Sequence, residues 1–164
     1  DRGEINRMSM LAECLLQSVD WSSYRVASGP ATTVGSALHD LLTSTNFEEA
    51  ATAWSRIEEQ VFSQADIYSA AEPTVSVMLA ALTQEQPPWR SGRILDLLFF
   101  INNGNSATDP SLRTRCHQRT REGLWLLTQW AINHDGWSRD NAMEVIEIIA
   151  PDHAALLRQT ISDH

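Results

Sequence analysis

Two acidic residues lie within apolar helical patterns, where a buried carboxylate could serve in an active site. Asp96 and Glu144 each interrupt an apolar helical pattern, and a buried carboxylate can act as a general acid or base. Such a carboxylate is more often held in a structural ion pair with an arginine of a neighbouring helix, and we favour that interpretation. One stretch concentrates positive charge and can supply such pairs or bind phosphate: Arg113, Arg115, Arg119 and Arg121.

The histidines and cysteines do not form a metal-binding or nucleophilic pattern. His134–Asp135 and Asp152–His153 would have to meet in space to hold a metal, and their spacing is not that of a ligand set. His117 follows Cys116, but adjacent residues of a helix point in different directions, so they are not a catalytic dyad. The sequence also lacks a glycine-rich phosphate loop, G-x-S-x-G and H-E-x-x-H. We therefore predict no catalytic residue, no metal and no cofactor.

Acidic and aromatic residues near the ends of predicted helices are typical of a protein-binding surface. One group brackets a loop between two helices, a second flanks Trp137, and Trp89 stands at the start of a helix. For each residue taken alone, a solvated face or packing at a helix end is the more common explanation. Tryptophans and clustered acids are also what an interface with a basic protein uses. The predicted partner-binding residues are Glu58, Glu59, Asp66, Tyr68, Trp89, Asp135, Trp137 and Asp140.

The overall charge favours a basic protein partner over nucleic acid or a membrane. The 164 residues carry a net charge of −9, and all 12 cationic residues are arginine. A chain this acidic repels phosphates and associates faster with basic partners. No apolar run approaches the roughly 18 residues of a membrane span. Two isolated cysteines do not make a disulfide framework, so we expect a cytoplasmic protein.

Apolar residues recur at helical spacing along most of the chain, and no stretch alternates cleanly as a strand does. The pattern predicts an all-α protein of about eight helices. The first of them runs over 5–19. Asn46 with Glu49 is a near-capping box at the start of another helix, and Ser69 with Glu72 is a second capping pattern.

The second half of the chain predicts one deeply buried helix and one long helix. Residues 89–101 are apolar nearly all round, which indicates a helix packed between others. A long helical segment runs from Asp109 to Asn133 with a kink near Gly123, and Ser138 opens the next helix. Three tryptophans on or beside apolar stripes are predicted to be core: Trp54, Trp125 and Trp130.

The chain also matches itself when shifted by 48 positions, which is the separation of Trp89 and Trp137. The same shift places Asp96 on Glu144, with apolar residues aligned around both pairs. A helix–turn–helix unit is therefore repeated with its core positions in register. This period is near the roughly 40–47 residues of HEAT and armadillo units, which indicates an α-solenoid of stacked antiparallel helix pairs. The first half fits the register less well, so the array is irregular.

Several stretches resemble bacterial HEAT-like repeat proteins. They are AWSRIEEQV at 53–61, YSAAEPTV at 68–75, RILDLL at 93–98 and REGLWLL at 121–127. The resemblance covers roughly the C-terminal two-thirds of the chain, and the length of 164 residues fits a single helical-repeat domain over 1–164. Small acidic proteins of this type resemble immunity proteins of bacterial toxin systems, including contact-dependent growth inhibition. The resemblance implies a protein that covers the active site of a basic nuclease toxin, and it carries over no functional residue.

Stacked helix pairs leave an extended, rigid concave surface, which suits the binding of another protein. We therefore expect a non-catalytic module that binds a cognate basic protein toxin, with no nucleic acid and no membrane among its partners. Two other functions stay open. An enzyme on a HEAT-like scaffold, of the DNA glycosylase type, would need a basic groove, and a scaffold subunit of a larger assembly would expose apolar patches.

Overall fold

The computed structural model describes residues 7–164, which form nine α-helices and two short β-hairpins. The helices are α1 (Met10–Ser18), α2 (Val34–Thr43), α3 (Phe47–Val61), α4 (Ala71–Ala81), α5 (Pro88–Asn103), α6 (Leu112–Arg121), α7 (Leu124–Asn133), α8 (Gly136–Ile149) and α9 (Pro151–Ser162). The hairpins pair β1 (Arg25–Val26) with β2 (Gly29–Pro30) and β3 (Phe62–Ser63) with β4 (Asp66–Ile67). The chain is mostly helical, as predicted. Within residues 7–164, no helix is both long and apolar enough to cross a bilayer.

The capping box predicted at the start of α3 is confirmed. The side-chain oxygen of Asn46 accepts the backbone N–H of Glu49 at 2.9 Å. In return, the Glu49 carboxylate accepts the backbone N–H and the hydroxyl of Thr45, at 2.7 and 2.9 Å. Donors that have no partner within the helix are thereby satisfied at its start. The hydrogen bonds from Thr45 also lower the pKa of Glu49.

The capping box predicted for Ser69 and Glu72 is wrong. The Ser69 hydroxyl accepts the backbone N–H of Arg25 at 2.8 Å, so it joins the first hairpin to the segment before α4. The Glu72 carboxylate instead accepts hydrogen bonds from Arg115 at 3.0 Å and Arg119 at 3.3 Å. Both side chains make long-range contacts, which a local sequence pattern does not reveal.

Several predicted helix boundaries shift. The helix predicted over 5–19 begins at Met10, and positions 5 and 6 lie outside the described residues. The long helix predicted towards Asn133 is two helices, because the helical conformation is interrupted near Gly123. A Cβ atom there would lie 2.5 Å from the Leu79 side chain, so glycine allows the close approach of α4. α8 begins at Gly136, two residues before the predicted start at Ser138.

α5 lies at the centre of the molecule. It contacts α3, α4, α6 and α8, which leaves little of its surface to solvent. This confirms the prediction that an apolar helix over 89–101 packs between others. Its buried apolar residues are Ile94, Leu95, Leu97, Leu98 and Ile101.

α5 packs against both α3 and α8, and we call these three helices the layer. Phe47 at the start of α3 contacts Trp89 at the start of α5, with ring centroids 6.0 Å apart. Phe62, just after α3, stacks on Phe100 near the end of α5. The two helices therefore run in the same direction. Each helix of the layer also packs against the helix that precedes it in the chain: α2 against α3, α4 against α5, and α7 against α8.

Candidate functional site

Five acidic residues follow one another across the layer of α3, α5 and α8, and we call them the acidic strip. Glu58 and Glu59 stand on α3, Asp96 on α5, and Asp140 and Glu144 on α8. All are exposed except Asp96, which is half-buried. Among residues 7–164, none of the five takes part in an ion pair. The strip therefore presents carboxylates that form no ion pair, although Arg93 lies close enough to Asp96 for their charges to interact.

The strip begins at an open groove between the ends of α3 and α5, which we call the aromatic groove. Its volume is about 490 Å³, and Glu58 and Glu59 line one side of it. Phe62 and Phe100 also line it, with ring centroids 5.3 Å apart and an interplanar angle of 15°. Phe100 is 42% exposed, which is unusual for a ring so close to the core. Asp96 precedes Phe100 by four residues on α5, so the groove is continuous with the rest of the strip.

The aromatic groove rests on a larger cluster of rings. The indole of Trp54 lies 6.0 Å from the ring of Phe62 and 6.1 Å from that of Phe100. On Trp54, the guanidinium of Arg93 lies over the indole, 5.1 Å from its centroid. Trp54 is buried, as predicted. The cluster thus already holds one guanidinium within the chain.

A tight turn forms one wall of the aromatic groove. Gln64 and Ala65 join β3 to β4 and have φ angles of +50° and +71°. Both values lie in the left-handed region, as the favoured two-residue hairpin turn requires. The Ala65 carbonyl accepts the N–H of Asn105 at 3.0 Å, and the Asn105 carbonyl accepts the N–H of Ile67 at 2.8 Å. The turn is thereby held against the end of α5.

Asp96 and Glu144 lie close enough for their charges to interact across the contact of α5 with α8. Burial raises the pKa of Asp96, the charge of Arg93 opposes this shift, and the charge of Glu144 adds to it. Among the described residues, no arginine of a neighbouring helix pairs with either carboxylate. The predicted structural ion pairs are therefore wrong.

The arginines of α6 bind other parts of the chain. Arg115 donates to Glu72 at 3.0 Å and to Asp109 at 2.9 Å, and Arg119 donates to Glu72. The hydrogen bond from Arg115 is the main reason that the pKa of Asp109 falls to about 2. Each arginine of the stretch donates to an acceptor within the chain: Arg113, Arg115, Arg119 and Arg121. This stretch is therefore not an open basic groove.

The two tryptophans that the sequence shift aligns have different surroundings. Trp137 stands in the first turn of α8, three residues before Asp140, and is 87% exposed. Trp89 is half-buried, and its indole N–H donates to the Ser44 carbonyl at 3.2 Å. Trp137 is thus available to a partner at the far end of the strip, whereas Trp89 helps to join α5 to the end of α2.

Three predicted residues lie off the strip. Asp66 is exposed on β4, paired with Ser63, and does not line the aromatic groove. Tyr68 is half-buried, and its N–H donates to the Val61 carbonyl at 3.1 Å. Asp135 is exposed immediately before α8, at the same end of that helix as Trp137. Asp66 and Asp135 thus lie near the two ends of the strip.

The sequence interpretation missed Phe100 and wrongly placed Trp125. The apolar run predicts that Phe100 is buried, yet Phe100 follows the polar position of Asp96 by one helical turn. That spacing was the available signal for an exposed ring. Trp125 was predicted to be core but is 74% exposed and touches His153 edge-on.

Reactive side chains do not converge at the strip. The buried Cys116 belongs to α6, and burial raises its pKa to about 12. Among the described residues, no group of three or more histidine, cysteine, aspartate or glutamate side chains is placed to hold a metal. What the arrangement can do is attract cations and hold apolar or planar groups against exposed rings. No family model matches the chain, and no curated protein and no solved structure is significantly similar to it.

Proposed function

We propose that this chain is a non-catalytic protein-binding module that holds a basic partner protein against the acidic strip. One observation carries the proposal. Five acids that follow one another over three adjacent helices form no ion pair among residues 7–164. Elsewhere in the molecule, arginines do pair with acids, as Arg115 does with Glu72 and Asp109. What distinguishes the strip is that its unpaired acids stand on three helices that pack against one another through α5.

The composition of the strip suits an interface. Unpaired charges speed the encounter with a basic surface, and they do so without a cost of breaking existing ion pairs. Phe100 and Trp137 add exposed aromatic surface, which interfaces use as anchors. Because the strip stands on three packed helices, binding would require little movement of the backbone.

The most concrete form of this proposal is an immunity protein within a HEAT-like α-solenoid of helix pairs. The basic partner would be a cognate toxin, such as a nuclease, whose cationic cleft the strip would cover in the cytoplasm. Inhibition of this kind needs shape and charge only. The pairing of α2 with α3, α4 with α5 and α7 with α8 supports the solenoid, as does the match between α5 and α8 under a shift of 48 positions.

A second candidate is a scaffold subunit of a larger assembly. α7 carries no charged residue, and exposed apolar side chains stand on α7 and α9. They are Trp125, Ile132 and Leu156. Such residues favour a covered surface. They stand on α7 and α9, whereas the strip stands on α3, α5 and α8.

The experiment that tests the proposed function is affinity capture from the producing organism at low and moderate salt, followed by mass spectrometry. The bait is the chain itself, beside an Asp96→Asn/Glu144→Gln variant. The matched control is Glu122→Gln/Asp163→Asn, which removes two exposed, unpaired charges elsewhere. We expect a near-stoichiometric basic protein on the wild-type and control baits, with much less on the strip variant. Its activity would then be assayed with and without the chain.

Equal retention by this variant would show that Asp96 and Glu144 do not contribute to binding, and equal retention by a Glu58→Gln/Glu59→Gln variant as well would show that the strip is not the binding surface. Retention of nucleic acid in place of a basic protein would contradict the proposal and favour an enzyme. Binding to heparin gives an independent check, because an acidic binding module should flow through the column.

A further inference from the structure

We infer that the aromatic groove binds an arginine side chain of the basic partner, with the guanidinium stacked on Phe100 and hydrogen-bonded to Glu58 or Glu59. This inference rests on the proposed function and names the chemical group that the strip recognises. Arginine binding in the groove would give the strip specificity, because the rest of the strip attracts a basic partner by charge alone.

The ring cluster beneath the groove already binds a guanidinium. Arg93 lies over Trp54, 5.1 Å from the ring centroid, and Trp54 in turn contacts both rings of the groove. The same chemistry is available at the other end of the cluster, where Phe100 is half-exposed. A guanidinium is planar and weakly hydrated, so it stacks on an aromatic face more readily than an ammonium does.

The carboxylates of the groove favour the same ligand. Glu58 and Glu59 are exposed, line the groove and have no ion-pair partner among residues 7–164. An arginine fork can donate two parallel hydrogen bonds to one carboxylate while its plane rests on a ring. A single charge on a flexible lysine cannot satisfy both contacts in this way.

The groove has room for a side chain of this kind. Its volume of about 490 Å³ falls within the range of small-ligand sites, roughly 300–1,000 Å³. The rigid turn at Gln64 and Ala65 and the end of α5 close two sides, so that the guanidinium would enter from the open face.

The test is an NMR titration of the full chain with three blocked tripeptides: Gly-Arg-Gly, Gly-Lys-Gly and the neutral Gly-citrulline-Gly. We expect saturable shifts centred on Glu58, Glu59, Phe62 and Phe100 with the arginine peptide. A single side chain should bind with a Kd on the order of 1 mM. The lysine peptide should bind about threefold to tenfold more weakly, and the citrulline peptide should not saturate.

Variants of the groove separate the ring from the carboxylates. Phe100→Leu keeps an apolar side chain and should weaken arginine binding about threefold to fivefold while reducing the preference over lysine. Glu58→Gln/Glu59→Gln should abolish saturation, and the control Glu122→Gln/Asp163→Asn should leave it intact. Glu58 and Glu59 are exposed, so their replacement by glutamine should not disturb folding. The glutamine variant therefore tests the groove even if replacement of Phe100 disturbs folding.

Equal binding of arginine and lysine peptides, or shifts spread over all exposed acids, would overturn the inference. That result would leave the proposed function standing, because charge alone could still hold a basic protein. Arginine-selective binding in the groove, together with partner capture that does not depend on the strip, would contradict the proposed function and retain only the arginine selectivity of the groove.

Discussion

The guanidinium of Arg90 donates two hydrogen bonds to the backbone carbonyl of Ser44, at 2.8 and 2.6 Å. Arg90 stands at the start of α5 and is 2% exposed, and Ser44 caps the end of α2. With the indole N–H of Trp89, three donors converge on one carbonyl that the helix leaves without a partner. The arginine therefore fixes the central helix against the first helix pair.

Replacing Arg90 should cost much of the stability of the protein. We expect Arg90→Met to lower the free energy of unfolding by about 3 kcal/mol, because a buried carbonyl loses charged donors. Arg90→Lys should cost about 1–2 kcal/mol, since a single amine cannot reproduce both contacts. Urea denaturation measures both values. The exposed Arg158→Met is the control and should cost no more than about 1 kcal/mol. If Arg158→Met lowered the free energy of unfolding as much as Arg90→Met does, the structural role of Arg90 would be contradicted.

The turn at Gln64 and Ala65 offers a stabilising substitution. Both residues have positive φ, where asparagine and glycine are favoured. Gln64→Asn/Ala65→Gly should therefore raise the free energy of unfolding by about 1 kcal/mol, or the melting temperature by about 2–4 °C. Thermal unfolding followed by circular dichroism measures the shift. Ala27→Gly in the β1–β2 turn, where no positive φ occurs at that residue, should destabilise and serves as the comparison.

His134 should make stability depend on pH. Burial alone lowers the pKa of His134, but its hydrogen bonds to Glu85 and the Trp130 carbonyl, with the charges of Glu85 and Asp135, outweigh burial and raise that pKa above 6.5. Protonated His134, paired with Glu85, therefore stabilises the folded state fully below pH 6.5. This stabilisation is lost as the pH rises through the pKa of His134 in the folded state. NMR titration of His134 and unfolding at several pH values measure the effect. Glu85→Gln should remove most of it, and an unchanged titration in that variant would contradict the pairing.

Trp125 and Trp130 lie on the same helix but should respond differently to truncation. Trp130 is buried, stacks on His134 and donates to the Ser138 hydroxyl at 3.0 Å. Trp130→Ala should cost about 3–5 kcal/mol, whereas Trp125→Ala should cost about 1 kcal/mol or less. Comparable losses in urea denaturation would show that Trp125 is packed as the sequence pattern predicted.

The two cysteines should differ in reactivity. Cys14 is exposed, whereas Cys116 is buried and burial raises its pKa to about 12. Because the thiolate is the reactive form, a thiol reagent at pH 8 should label Cys14 alone in the folded protein. Labelling of Cys116 should appear only on unfolding. Peptide mapping after iodoacetamide treatment distinguishes the two, and rapid labelling of Cys116 would contradict its burial.

Features that depend on neighbouring residues in the chain could be predicted from the sequence. The capping box at Asn46 and Glu49 involves side chains three residues apart, and the burial of α5 follows from its apolar surface. The equivalence of Asp96 and Glu144 also has a counterpart in the structure, since their charges interact across adjacent helices. Local periodicity contains this information because a helix repeats its contacts every turn.

Features that depend on long-range packing could not be predicted. Nothing near Trp125 shows that α7 leaves that side chain uncovered, because exposure depends on which helices follow. Glu72 binds Arg115 from 43 positions away, and no spacing rule connects them. The aromatic groove has the same character, because Phe62 and Phe100 meet only when α3 and α5 pack side by side.

The alignment of α3, α5 and α8 sets a distance that a partner would have to match. Packed helices have axes about 8–10 Å apart, so the helices that carry the strip stand at about that interval. One turn of a polyproline II helix spans three residues of ~3.1 Å each, or about 9 Å. If the strip binds an extended segment of the proposed partner, that segment would advance by one helix with about every third residue. The spacing of its positive charges would then matter as well as their number.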